Sequence, residues 1–523
     1  MKFKNLKQTD IDYARRIYKD KSMTFQQRMN ILTDYFEKDE RTIRRWFSKK
    51  LEGFKEKEDI VVESEHFKLA KLAQIDKGRK YYLISSAQNN TLPNAEFIKN
   101  IEAYSNFLKG QLILVPYRYK NPTSIFSKAD KESEFWHPSL VKYLNANRID
   151  LNSKLTVLGD IKIQPTNSDP LRGIQGISSK KSCILAHPSI HFKTMHVLEG
   201  YDKKFMMTTG SVTKENYTDT LLGKKGSFNH TYSFVIVEIV NEDKFYCRQV
   251  TANSSGSFTD LHFKVSNGEV KKINSCGAVV FGDIHSGDHN KKVVDCGMEL
   301  CKKINPEHIV LHDLFNAKSI NHHEFNNPFI QYELEKENKN SLKKEIDEML
   351  NWLEQLNKFN VVVVKSNHDD FVSTWLMQDW RKMSTCKNSI EYVKFASILL
   401  EGKAKNGIIP YLINEKFPKI KCLTANDSFI VNSWELAQHS SVGSSGTRGS
   451  LNSYSSLSIK CVLGHGHTAT RKMGTIMVGT FTNLRVGYNN GPSNWVNSLV
   501  IIHNDKKAQL IIMDEDGKFT TLK

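Results

Sequence analysis

Residues 276–289 constrain the fold more than any other stretch. The apolar run Cys276-Gly277-Ala278-Val279-Val280-Phe281 leads directly into Gly282-Asp283-Ile284-His285-Ser286-Gly287-Asp288-His289, and a helical pattern follows. A short run of small and β-branched residues reads as a buried strand. Ending it in Asp-x-His sets a carboxylate and an imidazole together at its carboxyl end, where open α/β sheets hold their ligands. That pair suits a metal cation. Alone it is weak, since Gly159-Asp160-Ile161-Lys162 begins the same way and offers no imidazole.

Four later blocks strengthen it by their order. They are His308-Ile309-Val310-Leu311-His312-Asp313-Leu314-Phe315-Asn316, then Val361-Val362-Val363-Val364-Lys365-Ser366-Asn367-His368-Asp369, then Gln438-His439-Ser440, then Cys461-Val462-Leu463-Gly464-His465-Gly466-His467. In four of the five blocks an apolar run feeds straight into Asp, Asn or His. Parallel strands of that kind would deliver those side chains to one sheet edge.

The five blocks resemble the calcineurin-like metallophosphoesterase superfamily, whose order is Gly-Asp-x-His, Gly-Asp-x-x-Asp, Gly-Asn-His-Asp, a lone His, then Gly-His-x-His. The resemblance covers roughly residues 275–523. His312 and Ser366 stand where the family has glycine, and Asn316 where many members have a second Asp; Asp313-Leu314-Phe315-Asn316 is closest to the double-strand-break-repair nuclease branch. The resemblance implies one metal on Asp283, His285, Asp313 and His467. It implies a second on Asp313, Asn367, His439 and His465, with Asp313 bridging and His368 left free beside the scissile phosphate. Asp369 would orient the His368 ring, and Arg448, in a Ser/Gly-rich loop over 440–456 that reads equally as a plain surface loop, would reach the phosphate. Two cations about 3.5–4 Å apart neutralise a phosphodiester, activate a water and stabilise the leaving oxygen. Carboxylate, amide and imidazole ligands without thiolate suit Mn, Fe, Co or Zn, and the nuclease-like branch favours manganese.

At 523 residues the chain exceeds one core and calls for three or four units. Its 74 basic and 57 acidic residues give a net charge of +17 and a pI near 9.2. That balance favours a polyanionic partner, with DNA foremost once the phosphoesterase blocks are considered. Eight cysteines without a Cys-x-x-Cys pair indicate neither a disulfide framework nor a zinc knuckle. The charged first residues carry no apolar segment behind them and no run is long enough to span a bilayer, so no membrane partner is expected and a cytoplasmic setting fits.

Residues 1–58 read as three short helices, over 11–19, 24–36 and 40–51, the last capped by Asp39. Its basic face, Arg41, Arg44, Arg45, Lys49 and Lys50, opposes an apolar stripe, so the segment resembles a helix-turn-helix whose third helix would enter the major groove. A basic amphipathic helix packed on the protein gives the same pattern. A charged linker follows over 52–65. Residues 66–150 read as a small α/β unit, with strands at 80–86 and 111–118 around a helix at 94–108, and 151–272 as a β-rich unit of short strands. His187, His191 and His196, and Asn321-His322-His323-Glu324, lack partners at metal-ligand spacing and read as ordinary histidines. Residues 331–358 read as one surface helix.

The expected architecture is therefore α/β and multidomain: a two-sheet metallophosphoesterase core with helices outside over 275–523, preceded by a mixed α/β region and an amino-terminal helix-turn-helix. The expected activity is metal-dependent DNA cleavage. Its rivals are a phosphomonoesterase or protein phosphatase, which use the same site, and a DNA-binding regulator without catalysis. A homo-oligomer and further protein partners are compatible with the sequence, and no motif marks a surface for either.

Overall fold

The computed structural model describes residues 8–20, 23, 25–43, 72–119, 136–322, 324–325, 327–378, 386–486 and 489–522. It divides into two compact units, residues 1–64 and 65–523.

In the first unit, helices Gln8–Lys19 and Phe25–Phe36 are followed by helical residues 40–43. Ala14, Met29, Leu32, Phe36 and Ile43 form its small core. Asp39 does cap the third segment: its carboxylate accepts the Thr42 backbone N–H at 2.8 Å and the Thr42 hydroxyl at 2.7 Å. Arg41 is exposed, while Arg44, Arg45, Lys49 and Lys50 lie outside the described residues.

The second unit is built on sheets. Its strands are β1 (Tyr81–Gln88), β2 (Gln111–Tyr117), β3 (Arg148–Asp150), β4 (Leu155–Leu158), β5 (Ser182–Leu185), β6 (His191–Met195), β7 (Lys204–Thr208), β8 (Ser233–Ile239) and β9 (Phe245–Thr251). A small meander follows, β10 (Phe258–Asp260), β11 (Phe263–Ser266) and β12 (Glu269–Lys272). Then come β13 (Cys276–Phe281), β14 (Pro306–Leu311), β15 (Val361–Val363), β16 (Lys421–Cys422), β17 (Ile430–Val431), β18 (Trp434–Gln438), β19 (Lys460–Leu463), β20 (Thr470–Lys472), β21 (Thr475–Met477), β22 (Asn497–Ile502) and β23 (Ala508–Met513). They form a four-stranded sheet β2-β1-β8-β9, a six-stranded sheet β16-β15-β14-β13-β22-β23, and a ten-stranded sheet β17-β18-β19-β21-β20-β6-β7-β5-β4-β3. Strands from both sides of residue 150 thus share sheets, so the 66–150 and 151–272 segments interleave rather than stand apart.

The alternation along β13 shows why its sequence is apolar throughout. Ala278 and Val280 face the core shared with the ten-stranded sheet, where they meet Val462 and Ile476. Val279 and Phe281 face the opposite core, built with helices such as Lys291–Ile304 and Leu342–Glu354. A strand covered on both faces has no solvent side to mark with polar residues. β1 repeats the pattern, with Tyr82 and Ile84 toward the shared core and Tyr81 and Leu83 toward the helix Ala95–Phe107.

The expected single helix over 331–358 is two helices, Pro328–Lys336 and Leu342–Glu354. Asn338 takes φ 56° between them, and the Ser341 hydroxyl caps the second through the Lys344 N–H at 3.4 Å. The 440–456 segment is more ordered than a plain loop: Ser450 and Ser453 form a reciprocal capping box at the start of helix Leu451–Ser455. Among the described residues no helix is long and apolar enough to cross a membrane.

Candidate metal centre

The parallel strands β13, β14 and β15 end side by side, and β18 and β19 end beside one another in the facing sheet. The five sequence blocks sit on these ends. Two groups of ligand atoms result, Asp283, His285, Asp313 and His467, and Asp313, His439 and His465, each with its atoms within 4.8 Å of one another. Asp313 belongs to both.

Asp313 Oδ2 stands 3.4 Å from His285 Nε2 and 3.3 Å from His439 Nε2. His467 Nε2 lies 3.1 Å from Asp283 Oδ2 and 3.0 Å from His285 Nε2. Two imidazole nitrogens facing each other beside two carboxylates converge on a point of positive charge rather than on each other. Several of these buried atoms also lack a hydrogen-bond partner within the protein: Asp283 Oδ2, Asp313 Oδ1, Asn367 Oδ1 and both ring nitrogens of His439. Orphaned buried polar atoms at one place are costly unless a ligand satisfies them, so the donor set fits divalent cations.

Burial pushes His285 down to about 3, against the pull of Asp313, and His312 down to about 4. Those rings are neutral and keep a free electron pair. Burial works the other way on Asp283, but His467 and His439 outweigh it and bring it to about 2; Asp313 is likewise held well below the carboxylate range by its imidazole neighbours despite burial. Burial also opposes charge on His439, and Asp313 overrides it, raising that ring. Ionised carboxylates among imidazoles are the state a cation requires.

The backbone bends sharply where the ligands sit. His285, Asp313, Ser440, His465 and His467 all have positive φ, at 44°, 45°, 68°, 73° and 51°. Non-glycine residues rarely adopt this region, and clusters of such strain occur at functional sites. Gly464 is required for a different reason: a Cβ there would lie 2.7 Å from His439 Nδ1, 2.8 Å from Asp283 Oδ1 and 2.8 Å from His312 Cγ. Gly464→Ala is therefore expected to displace three side chains at once, lowering stability by about 1–3 kcal/mol and stripping bound metal; metal analysis beside a thermal melt checks both.

His368 is half-buried, and its Nδ1 lies 2.6 Å from the Asn316 carbonyl, its ring packed against His285 and Phe371 at 4.6 Å each. Asp369 does not orient it. Its carboxylate instead accepts the Ser366 N–H at 2.9 Å, and burial raises it to about 6. The backbone carbonyl takes the orienting part because Asn316, immediately after Leu314-Phe315, returns toward the third block.

The site opens into a cavity of about 760 Å³, lined by Asp313, Asn367, His368, Arg448, His465, His467 and also Lys318, Phe371 and Trp495. Arg448 is exposed on its wall. Lys318 and Trp495 were not legible in the sequence. Lys318 is aimed by Asp288, at 3.3 Å, and Trp495 packs edge-on to His467 with ring centroids 4.1 Å apart; neither lies in an ordered block, and a loop conformation brings each in. The triad His187, His191 and His196 forms no metal group among the described residues.

No protein-family profile matches the chain. Among curated proteins it is 25% identical over 470 residues to "Protein A1" of Escherichia phage T5, spanning 85% of this chain and 83% of that protein. Among solved structures it is similar to Vps29 of Chaetomium thermophilum, at 15% identity with a TM-score of 0.20, covering 37% of this chain and 97% of that one. A similarity that low supports no further step. The chain thus resembles a phage protein along most of its length and carries a buried Asp/His centre fitted to divalent metal.

Proposed function

We propose that the chain is a metal-dependent deoxyribonuclease that hydrolyses phosphodiesters at a two-metal site. The observation that carries this reading is the sharing of Asp313 between two adjacent ligand groups at the floor of a cleft walled by Lys318 and Arg448. Asp283, His285, Asp313 and His467 would hold one cation, and Asp313, Asn367, His439 and His465 the other. Two such ions, manganese foremost, supply charge for the phosphate and acidify a water. The protein's own groups do the rest. Lys318 and Arg448 hold the phosphate oxygens, His368 stands beside the leaving oxygen, and Asn316 fixes its tautomer. The similarity to a phage protein supports a setting in infection, where the DNA to be broken down is the host's in the host cytoplasm, with phage or host proteins as candidate companions of the enzyme.

Incubating the Mn²⁺-loaded protein with plasmid, single-stranded DNA and a small phosphomonoester tests this. Cutting of DNA that EDTA abolishes is the expected result. Hydrolysis of the monoester alone would move the assignment to a phosphatase, and DNA binding without any hydrolysis would move it to a regulator.

Residues 1–58 would add affinity without chemistry. Neutralising Arg41, Arg44, Arg45, Lys49 and Lys50 together should flatten the salt dependence of duplex binding by about 0.9 log unit of slope for each DNA phosphate that these side chains no longer neutralise. An unchanged slope would remove this segment from the DNA interface.

A further inference from the structure

The sheets of the second unit repeat. β1 pairs parallel with β2 and antiparallel with β8, which forms a hairpin with β9. β13 pairs parallel with β14 and antiparallel with β22, which forms a hairpin with β23. In the ten-stranded sheet β3 is antiparallel to β4, β4 parallel to β5, β5 parallel to β7 and β7 antiparallel to β6. β17, β18, β19, β21 and β20 repeat that series with the same directions. The two series meet where β6 pairs antiparallel with β20. Nine strands in the same chain order with the same partners exceed what shared architecture produces by chance.

Local contacts repeat with them. Asn94 and Asn290 each cap the helix after the first strand, and their backbone N–H groups donate to Val212 O at 2.9 Å and Phe481 O at 2.7 Å. Val212 N–H donates to Ser86 O and Phe481 N–H to Asp283 O, each at 2.8 Å. The hydroxyls of Ser211 and Thr213 meet at 2.9 Å, as do those of Thr480 and Thr482. Cys183-Ile184-Leu185-Ala186-His187-Pro188-Ser189 on and after β5 parallels Cys461-Val462-Leu463-Gly464-His465-Gly466-His467 on and after β19.

These pairings assign counterparts to the metal centre. Ser86 stands for Asp283, Asn89, with one residue more between them, for His285 and Ser189 for His467, while His187 matches His465. Tyr117 stands for Asp313, since Asn89 N–H donates to Tyr117 O at 3.2 Å as His285 N–H does to Asp313 O at 2.8 Å. Gly159 stands for His439, and a Cβ there would lie 2.3 Å from Asn147 O, so no imidazole fits. Ser86, Asn89, Tyr117, His187 and Ser189 are all buried. They are bound up internally: Tyr117 to the Ser211 hydroxyl at 3.2 Å, Asn89 Oδ1 to the Tyr119 N–H at 2.8 Å, and His187 Nδ1 to the Ser189 hydroxyl at 2.8 Å. Among these counterparts no carboxylate remains to balance a divalent cation.

We infer that residues 81–251 and 276–513 are two copies of one fold unit fused about a local two-fold between β6 and β20, the first a copy that has lost its metal centre. The chain is then an internal pseudo-dimer with one reactive cleft, and the first copy completes the ten-stranded sheet that a partner subunit would otherwise supply. The second half of the inference rests on the metal-site reading above; the duplication does not.

Equilibrium dialysis of the full chain with Mn²⁺ tests the loss of the centre. Metal content should be unchanged by His187→Ala and reduced by His465→Ala, with folding of both variants checked by circular dichroism. A fall in metal content with folded His187→Ala would overturn the claim that the first copy is metal-free. If no variant or wild-type chain binds Mn²⁺, the proposed function fails and the duplication stands or falls on a crystal structure of the full chain. Superposition of β1, β2 and β3–β9 on β13, β14 and β17–β23 with connections in order supports it, and failure to superpose overturns it.

Discussion

Asp313→Ala is expected to remove DNA cleavage and at least one of the two bound metals, a larger loss than any other single ligand change gives. Asp313 is the one residue common to both ligand groups, and three imidazoles, His285, His439 and His368, act on its charge. Without it two cations would repel one another in a buried pocket with little screening, and the cleft would lose the negative charge that draws them in. The rate loss should exceed the roughly 10²–10⁴-fold that an acid–base group supplies, because ground-state assembly and transition-state charge fail together. Metal analysis of the purified variant beside a plasmid assay measures both. A folded Asp313→Ala protein that still holds two ions and cuts normally would end the two-metal reading.

What the sequence disclosed follows from how local each feature is. Asp283, His285, Asp313, Asn367, His439, His465 and His467 each follow a strand within a residue or a few, so strand pattern and ligand type appear in the same short window, and the five windows converge as expected. The helix break at Asn338 was hidden because Ile346, Leu350, Leu353 and Leu356 keep helical spacing that extends backward through polar residues that fit either state. Asn316 orients His368 through its carbonyl, a group every residue possesses, so no side-chain motif could announce it. Lys318 and Trp495 reach the cleft through loops whose path depends on distant contacts such as Asp288 and His467. The repeat was masked for a related reason. Its marks are pairings and shared hydrogen bonds, and the ligand residues that make the second copy recognisable are the ones replaced in the first.

His368→Ala is expected to keep the fold, the metal content and DNA affinity while slowing cleavage by roughly two to four orders of magnitude, about 3–5 kcal/mol of transition-state stabilisation. The ring belongs to neither ligand group yet lines the same cavity as Asp313 and Asn367. Its Nδ1 is engaged by the Asn316 carbonyl at 2.6 Å, an arrangement in which Nδ1–H donates and Nε2 is the nitrogen left to face the cleft. Protonated, Nε2 can pass its proton to the departing oxygen; neutral, it cannot. The acid role therefore predicts that a substrate with a good leaving group, which needs no proton, loses far less rate in His368→Ala than one whose departing oxygen must be protonated. A purely structural role would instead lower thermal stability and slow both substrates alike. His368→Ala protein that lacks a metal would make the ring a ligand, and one that cuts near the wild-type rate would leave the leaving oxygen to the cations and water alone.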